Sequence, residues 1–306
     1  MTLSTLSTAL LWVNLTALAF IAVLFFCNYE RHARNVRDPY SQTITVRLAL
    51  VCFVSGIGYF IDFCCQLGHL DDTTSEIQEA IDDGISGALE GVVLLSFFTL
   101  VVLQAGGTDA TVTRFAEAIY AGRDNAVAVA QATYNRYRRS LLAFAVLRPL
   151  FSVALALLST EENPEKLIRV VLAIANVGLL VAAMVALVRT LVAVKETIPA
   201  SFLATRKLIV VKLLLVLSTL QWTIYTYVDD DATEKSHLKV YWTVCLVEVL
   251  LLSIAYYAVS SPETFSEMAT PTVRLFCLWD AMQHPIPVYK AFEPYHAMPT
   301  TPASVV

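Results

Sequence analysis

Seven apolar runs, each long enough at about 1.5 Å per helical residue to cross a hydrocarbon layer about 30 Å thick, constrain this chain more than any other feature. They lie at Ser7–Cys27, Arg47–Gln66, Gly84–Ala105, Leu141–Leu158, Leu167–Val188, Leu208–Val228 and Val240–Val259. In lipid a backbone must satisfy its own amides, and unbroken runs of this length do so only as helices. The expected fold is all-α, a seven-transmembrane-helix bundle.

Composition agrees with a lipid solvent. Of 306 residues, 57% are apolar and 15% charged, whereas a soluble domain carries roughly a quarter charged residues. The net charge is -5 and no Lys/Arg-rich block occurs, so nucleic acid is not an expected partner. The first run has no basic stretch before it and no small-residue cleavage site after it, so it reads as a retained helix rather than a signal peptide.

Loop charge sets the expected orientation. Arg31, Arg34 and Arg37 follow the first run, Arg114, Arg123, Arg136, Arg138 and Arg139 the third, and Arg189, Lys195, Arg206 and Lys207 the fifth, while Arg274 and Lys290 lie in the tail. The opposite connections, HLDDTTSEIQEAIDD, STEENPEK and DDDATEKSHLK, are dominated by acids. The positive-inside bias puts the first group in the cytosol, which leaves the N-terminus outside and the C-terminus cytosolic. The protein is therefore expected to be multi-pass in the plasma membrane or an endomembrane.

Two domains are expected, a transmembrane domain over 1–259 and a cytosolic, largely disordered tail over 260–306, where repeated prolines interrupt any long helix. The linker Gly106–Arg139 is too long for a turn. Val112, Phe115, Ala116, Ile119 and Tyr120 recur there at helical spacing, which fits an amphipathic helix, an inward extension of the flanking helices or a partly ordered loop.

Ionisable residues inside the runs are the candidate site. An ion at mid-bilayer costs roughly 2.5 to 3.5 kcal/mol on insertion scales, so those retained face protein, partner or water. Asp62, Glu90, Arg148, Lys212 and Glu248 qualify, with Gln221 near Lys212. Glu90, Arg148, Lys212, Gln221 and Glu248 are taken as substrate-binding candidates, Arg148 and Lys212 as anion contacts. The same residues also fit a structural ion-pair network, with Lys212 reaching to the interface. Pro149 directly after Arg148 should kink the fourth helix. Gly87 and Gly91 form a small-x-x-x-small face for close helix packing.

Catalytic patterns such as G-x-S-x-G, H-E-x-x-H and the P-loop are missing. No enzyme activity, cofactor or metal is expected. The six cysteines show no C-x-x-C pair and read as small hydrophobes. His32, His69, His237, His284 and His296 are scattered and read as solvated loop residues. Asn14 sits in an N-L-T sequon but inside an apolar run, which rules it out as a glycan acceptor. The last run holds no Lys for a retinal Schiff base.

Four stretches carry a family resemblance. They are SQTITVRLALVCFVSGIGYFIDF with Gln42 and Arg47; ALEGVVLLSFFTLVVLQAGG with Glu90, Ser96, Phe97, Phe98, Gly106 and Gly107; VLRPL; and KLIVVKLLLVLSTLQW with Lys207, Lys212, Ser218 and Gln221. CLVEVLLLSIAYYA, starting its pattern at Glu248, adds a fifth. In order and spacing they resemble the organic solute transporter alpha and transmembrane protein 184 family. Departures are Thr108 where an acid often follows the Gly-Gly, a second helix without Pro and Trp, and no Cys cluster after the third.

The resemblance implies facilitated movement or binding of an amphipathic organic solute such as a sterol-derived or lipid-like anion. Expected partners are membrane lipid and that solute, with a single-span subunit or a second copy of the chain as the candidate protein partner. The alternative is a receptor-like, regulatory or trafficking seven-helix protein. Against a receptor, the third helix ends LQAGGTDA without a D-R-Y-like triplet and the seventh lacks N-P-x-x-Y.

Overall fold

The computed structural model describes residues 5–68, 72–159, 166–211, 213 and 235–265. Regular structure among them is helical throughout: α1 (Thr5–Arg34), α2 (Pro39–Gly68), α3 (Asp72–Gln104), α4 (Thr108–Ile119), α5 (Ala126–Ser159) and α6 (Lys166–Val194). A 3-10 turn (Ala200–Phe202), α7 (described over 204–211), α8 (Lys235–Val259) and a second 3-10 turn (Pro262–Thr264) follow.

Among the described residues, five helical stretches are long and apolar enough to span a membrane: Thr5–Arg34, Pro39–Gly68, Gly84–Gln104, Ile174–Val194 and Leu238–Val259. They match the first, second, third, fifth and seventh runs read from the sequence. The fourth run lies within α5, and nearly all of the sixth, with Lys212 and Gln221, falls outside the described residues, as does the tail beyond Phe265.

The helices outrun their apolar cores. Hydropathy stops where lipid stops, but a helix stops only at a breaker. α1 continues through the polar NYERHAR to Arg34, and α2 begins at Pro39 rather than at Arg47. Its start has a clear local cause. Asp38 caps it by accepting the Ser41 N–H at 3.1 Å, and Pro39 occupies the first helical position, where no N–H is needed.

Packing divides the helices into two groups. α1, α2 and α8 form one; α3, α5 and α6, with α4 laid against α5 and α6, form the other; α2 against α3 joins them. α1 runs parallel to α8, since Asn14 Nδ2 donates to Thr243 Oγ1 at 2.7 Å near one end and Arg31 donates to the Tyr257 carbonyl at 2.9 Å near the other. Asn14 is fully buried, and so it serves as a polar clamp between helices, inaccessible to any glycan.

α3 is the central helix: 67% of its span is buried, against 22% for α1. α3 lies antiparallel to α5 and very close. A Cβ on Gly91 would sit 2.6 Å from Ala145 Cα, and one on Gly87 would sit 3.0 Å from Pro149 Cα. The small-residue face read from the sequence is therefore a backbone contact. α6 by contrast turns Ile174, Val177, Val181, Val185, Val188 and Val192 outward at helical spacing, an apolar stripe suited to lipid.

The long linker after α3 is ordered by its sequence. Gly106 and Gly107 have φ of 97° and 94°, a pair of conformations that only glycine adopts readily. Their N–H groups return to Leu103 and Val102 carbonyls at 3.0 and 2.9 Å, closing α3 in a Schellman-type turn. The chain then forms amphipathic α4, which buries Thr111, Val112, Phe115 and Ala116; Ile119, expected on that face, is exposed. The rest of the linker extends α5 back to Ala126.

Candidate functional site

Glu90 on α3 and Arg148 on α5 form an ion pair inside the bundle, with Arg148 Nε donating to Glu90 Oε2 at 2.8 Å. Their side chains are 9% and 16% exposed. The glycine contact explains why they meet: Glu90 flanks Gly91 and Arg148 flanks Pro149, so the closest approach of α3 to α5 carries both side chains together. Pro149 also lacks the N–H that would bond the carbonyl one turn back, that of Ala145, beside Gly91.

The pair faces a seam between the two helix groups. Tyr59 on α2 lies within electrostatic range of Glu90, Asp62 and Glu248, carboxylates of α3, α2 and α8. Asp62 is buried and Glu248 half-buried. Tyr59 also stacks on Trp242 of α8, with centroids 5.9 Å apart. Of the five candidates, the structure thus gathers Glu90, Arg148 and Glu248, while Lys212 and Gln221 lie outside the described residues. Asp62 belongs with the three, and its charge within an apolar run was the signal for it. Among the described residues no His, Cys, Asp and Glu cluster is arranged to hold a metal.

The sequence model of the family described as "Organic solute transporter Ostalpha" matches residues 10–265. The chain belongs to that family. Neither a curated protein nor a solved structure matches it. Membership in the Ostalpha family, together with the apolar helices, makes this an integral, multi-pass membrane protein of an organic solute transporter family, which is not a family of enzymes.

The Ostalpha match runs to Phe265, and the residues just before it organise a second polar cluster at the end of the bundle where the basic loops lie. Here two expectations are corrected. His32, read as a solvated loop residue, is fully buried in the last turn of α1. Its Nε2 donates to the Ser260 carbonyl at 2.7 Å, and its Nδ1 accepts from Gln42 Nε2 at 3.1 Å. The proton assignment follows from Gln42. Its Oε1 already accepts the N–H groups of Arg37 and Asp38 at 2.8 and 3.1 Å, so its amide nitrogen must face the imidazole and the Asn35 carbonyl. His32 is therefore neutral, and the Gln42 of the resemblance motif fastens the α1–α2 turn.

Lys207, counted as a loop cation, is also fully buried. Its Nζ lies 3.8 Å from the Phe202 ring centroid and 4.7 Å from that of Phe265, and donates to Thr264 Oγ1 at 3.3 Å. Burial pushes its pKa down to about 7. Residues 260–265 thus form a strap that ties α1 to the α6–α7 connection. Phe202 is near Lys207 in the chain, but Thr264 and Phe265, which complete the cover, come from the distant strap.

Proposed function

We propose that this chain is a seven-helix facilitative carrier, N-terminus outside and C-terminus cytosolic, that binds and moves an amphipathic organic anion through the seam between its two helix groups. The Glu90–Arg148 pair carries the reading. A bundle needing only cohesion is served as well by apolar packing, since a buried ion pair recovers little beyond its own desolvation. Arg148 spends only its Nε–H on Glu90, and a guanidinium has five such donors, so a solute carboxylate or sulfate can share it.

The family supports an organic solute; the arginine supports an anionic one, sterol-derived or otherwise lipid-like. Glu248 and Asp62 border the same space, and Lys212 and Gln221 are proposed to complete it from the sixth span. Glu90 holds Arg148 in place and is the group an arriving anion must displace or share. Loop charge supports the orientation. Membrane lipid is the surrounding partner, and transport by this chain alone, without a second subunit, is the simplest form of the proposal.

Equilibrium binding of a labelled steroid sulfate to the purified chain tests the site. Replacing Arg148→Gln should weaken binding by about tenfold or more, the loss of one charge-assisted hydrogen bond. Unchanged affinity in a folded variant would remove Arg148 from the site.

A further inference from the structure

The α4–α5 corner contains a hollow of about 740 Å³ that the transport reading does not use. Tyr120, Arg123 and Asn125 form its rim, and one face of α5, through Ala128, Ala132, Thr133 and Arg136, forms its wall. A 2.8 Å hydrogen bond between the Tyr120 and Thr133 hydroxyls ties its rim to that wall. We propose that this hollow is a docking site for the headgroup of an anionic phospholipid.

Position is the first argument. Gly91 lies opposite Ala145 and Gly87 opposite Pro149, so α3 and α5 keep one antiparallel register. Continued along both helices, that register brings Gln104, the last residue of the α3 span, level with Ala132 in the middle of the hollow. The hollow therefore straddles the plane where the spanning part of α3 ends. Headgroups occupy that plane, which follows from membrane insertion alone and holds whether or not the chain transports.

Charge is the second. Arg123 and Arg136 line the hollow and are exposed. Arg123 lies over the Tyr120 ring at 5.4 Å, which leans it toward the rim. The nearby Arg114 is turned to Glu117 at 2.9 Å and is not part of the lining. Asp124 is the acid beside Arg123, and Arg138 and Arg139 follow on α5, so the corner remains net basic. Apolar side chains flank it as a lipid would require: Ile119 is 45% and Val127 63% exposed. A soluble anion would gain nothing from them, whereas acyl chains would.

Native mass spectrometry of the full chain in mild detergent, titrated with phosphatidylserine or with phosphatidylcholine of the same acyl chains, tests this. Phosphatidylserine should bind more tightly, and Arg123→Gln with Arg136→Gln should weaken it by about fivefold per arginine, the contribution of one basic residue near a charged lipid surface. Arg123→Lys with Arg136→Lys should retain most of the affinity, and Arg114→Gln should change nothing. All these positions are exposed, so the variants should elute as the folded chain does. Equal binding of both lipids, unaltered binding in the Gln variants, or full displacement by millimolar inorganic phosphate would each overturn the proposal, the last by showing a free-anion site.

Discussion

Arg148 Nε lies 2.8 Å from Glu90 Oε2, and the pair sits where Gly91 against Ala145 and Gly87 against Pro149 let α3 and α5 touch backbone to backbone. Ion pair and helix contact are thus one feature. Removing one charge leaves the other uncompensated, at a cost of about 3 to 5 kcal/mol for a buried pair. Arg148→Ala and Glu90→Gln should therefore both lower the amount of folded protein. The exchanged double variant, Glu90→Arg with Arg148→Glu, should recover abundance but not solute binding, because the anion contact has moved to another helix. Abundance and binding measured together check this; recovery of both would make the pair purely structural.

The glycines should separate sharply in a thermal-stability series. Gly91→Ala places a methyl 2.6 Å from the Ala145 backbone, which cannot yield as a side chain would, so it should be strongly destabilising. Gly58→Ala meets nothing within 4 Å and should be neutral or slightly stabilising. Equal melting temperatures for the two variants would contradict the close α3–α5 contact.

Lys207 makes stability depend on pH, with a definite sign. Its pKa falls from near 10.4 in the open chain to about 7 in the fold through burial. Between those values the folded protein binds fewer protons, so stability rises with pH across that window, by up to about 1.4 kcal/mol per unit, and is flat below it. Wild type should gain on Lys207→Met in melting temperature from pH 7 to pH 10. A constant difference across that range would show that Lys207 is not buried in the folded protein.

Gln42 makes hydrogen bonds with Arg37 N–H, Asp38 N–H, the Asn35 carbonyl and His32. Gln42→Leu strands all four and should cost several kcal/mol. Gln42→Glu keeps the two acceptor bonds but turns an acceptor oxygen toward the Asn35 carbonyl and His32 and buries a charge, so it too should be destabilising. Melting curves of the two variants check this, and wild-type stability in Gln42→Leu would be inconsistent with the network.

Local chemistry decides which of these features can be seen in the sequence. The spans were legible because a bilayer demands an unbroken apolar run, whereas Gly106 and Gly107 stood out only as part of a resemblance motif and the structure shows them ending α3. Glu90 and Arg148 announced themselves as charges in lipid, yet their pairing depends on a helix register that no single segment encodes. α1 and α2 continue beyond their apolar runs since water tolerates a helix that lipid no longer requires, and the extension of α5 into the linker was among the readings its sequence allowed. His32 and Lys207 lie in polar stretches of sequence, and the strap at 260–265, far off in the chain, completes their burial. The resemblance motifs pointed to Gln42 without showing what it does.

Uptake of a labelled steroid sulfate into vesicles containing only this chain tests the central claim most directly. The account predicts saturable uptake by wild type and its loss in the charge-exchanged Glu90–Arg148 variant at equal folded abundance. No saturable uptake by folded wild type, or full uptake by that variant, would contradict it.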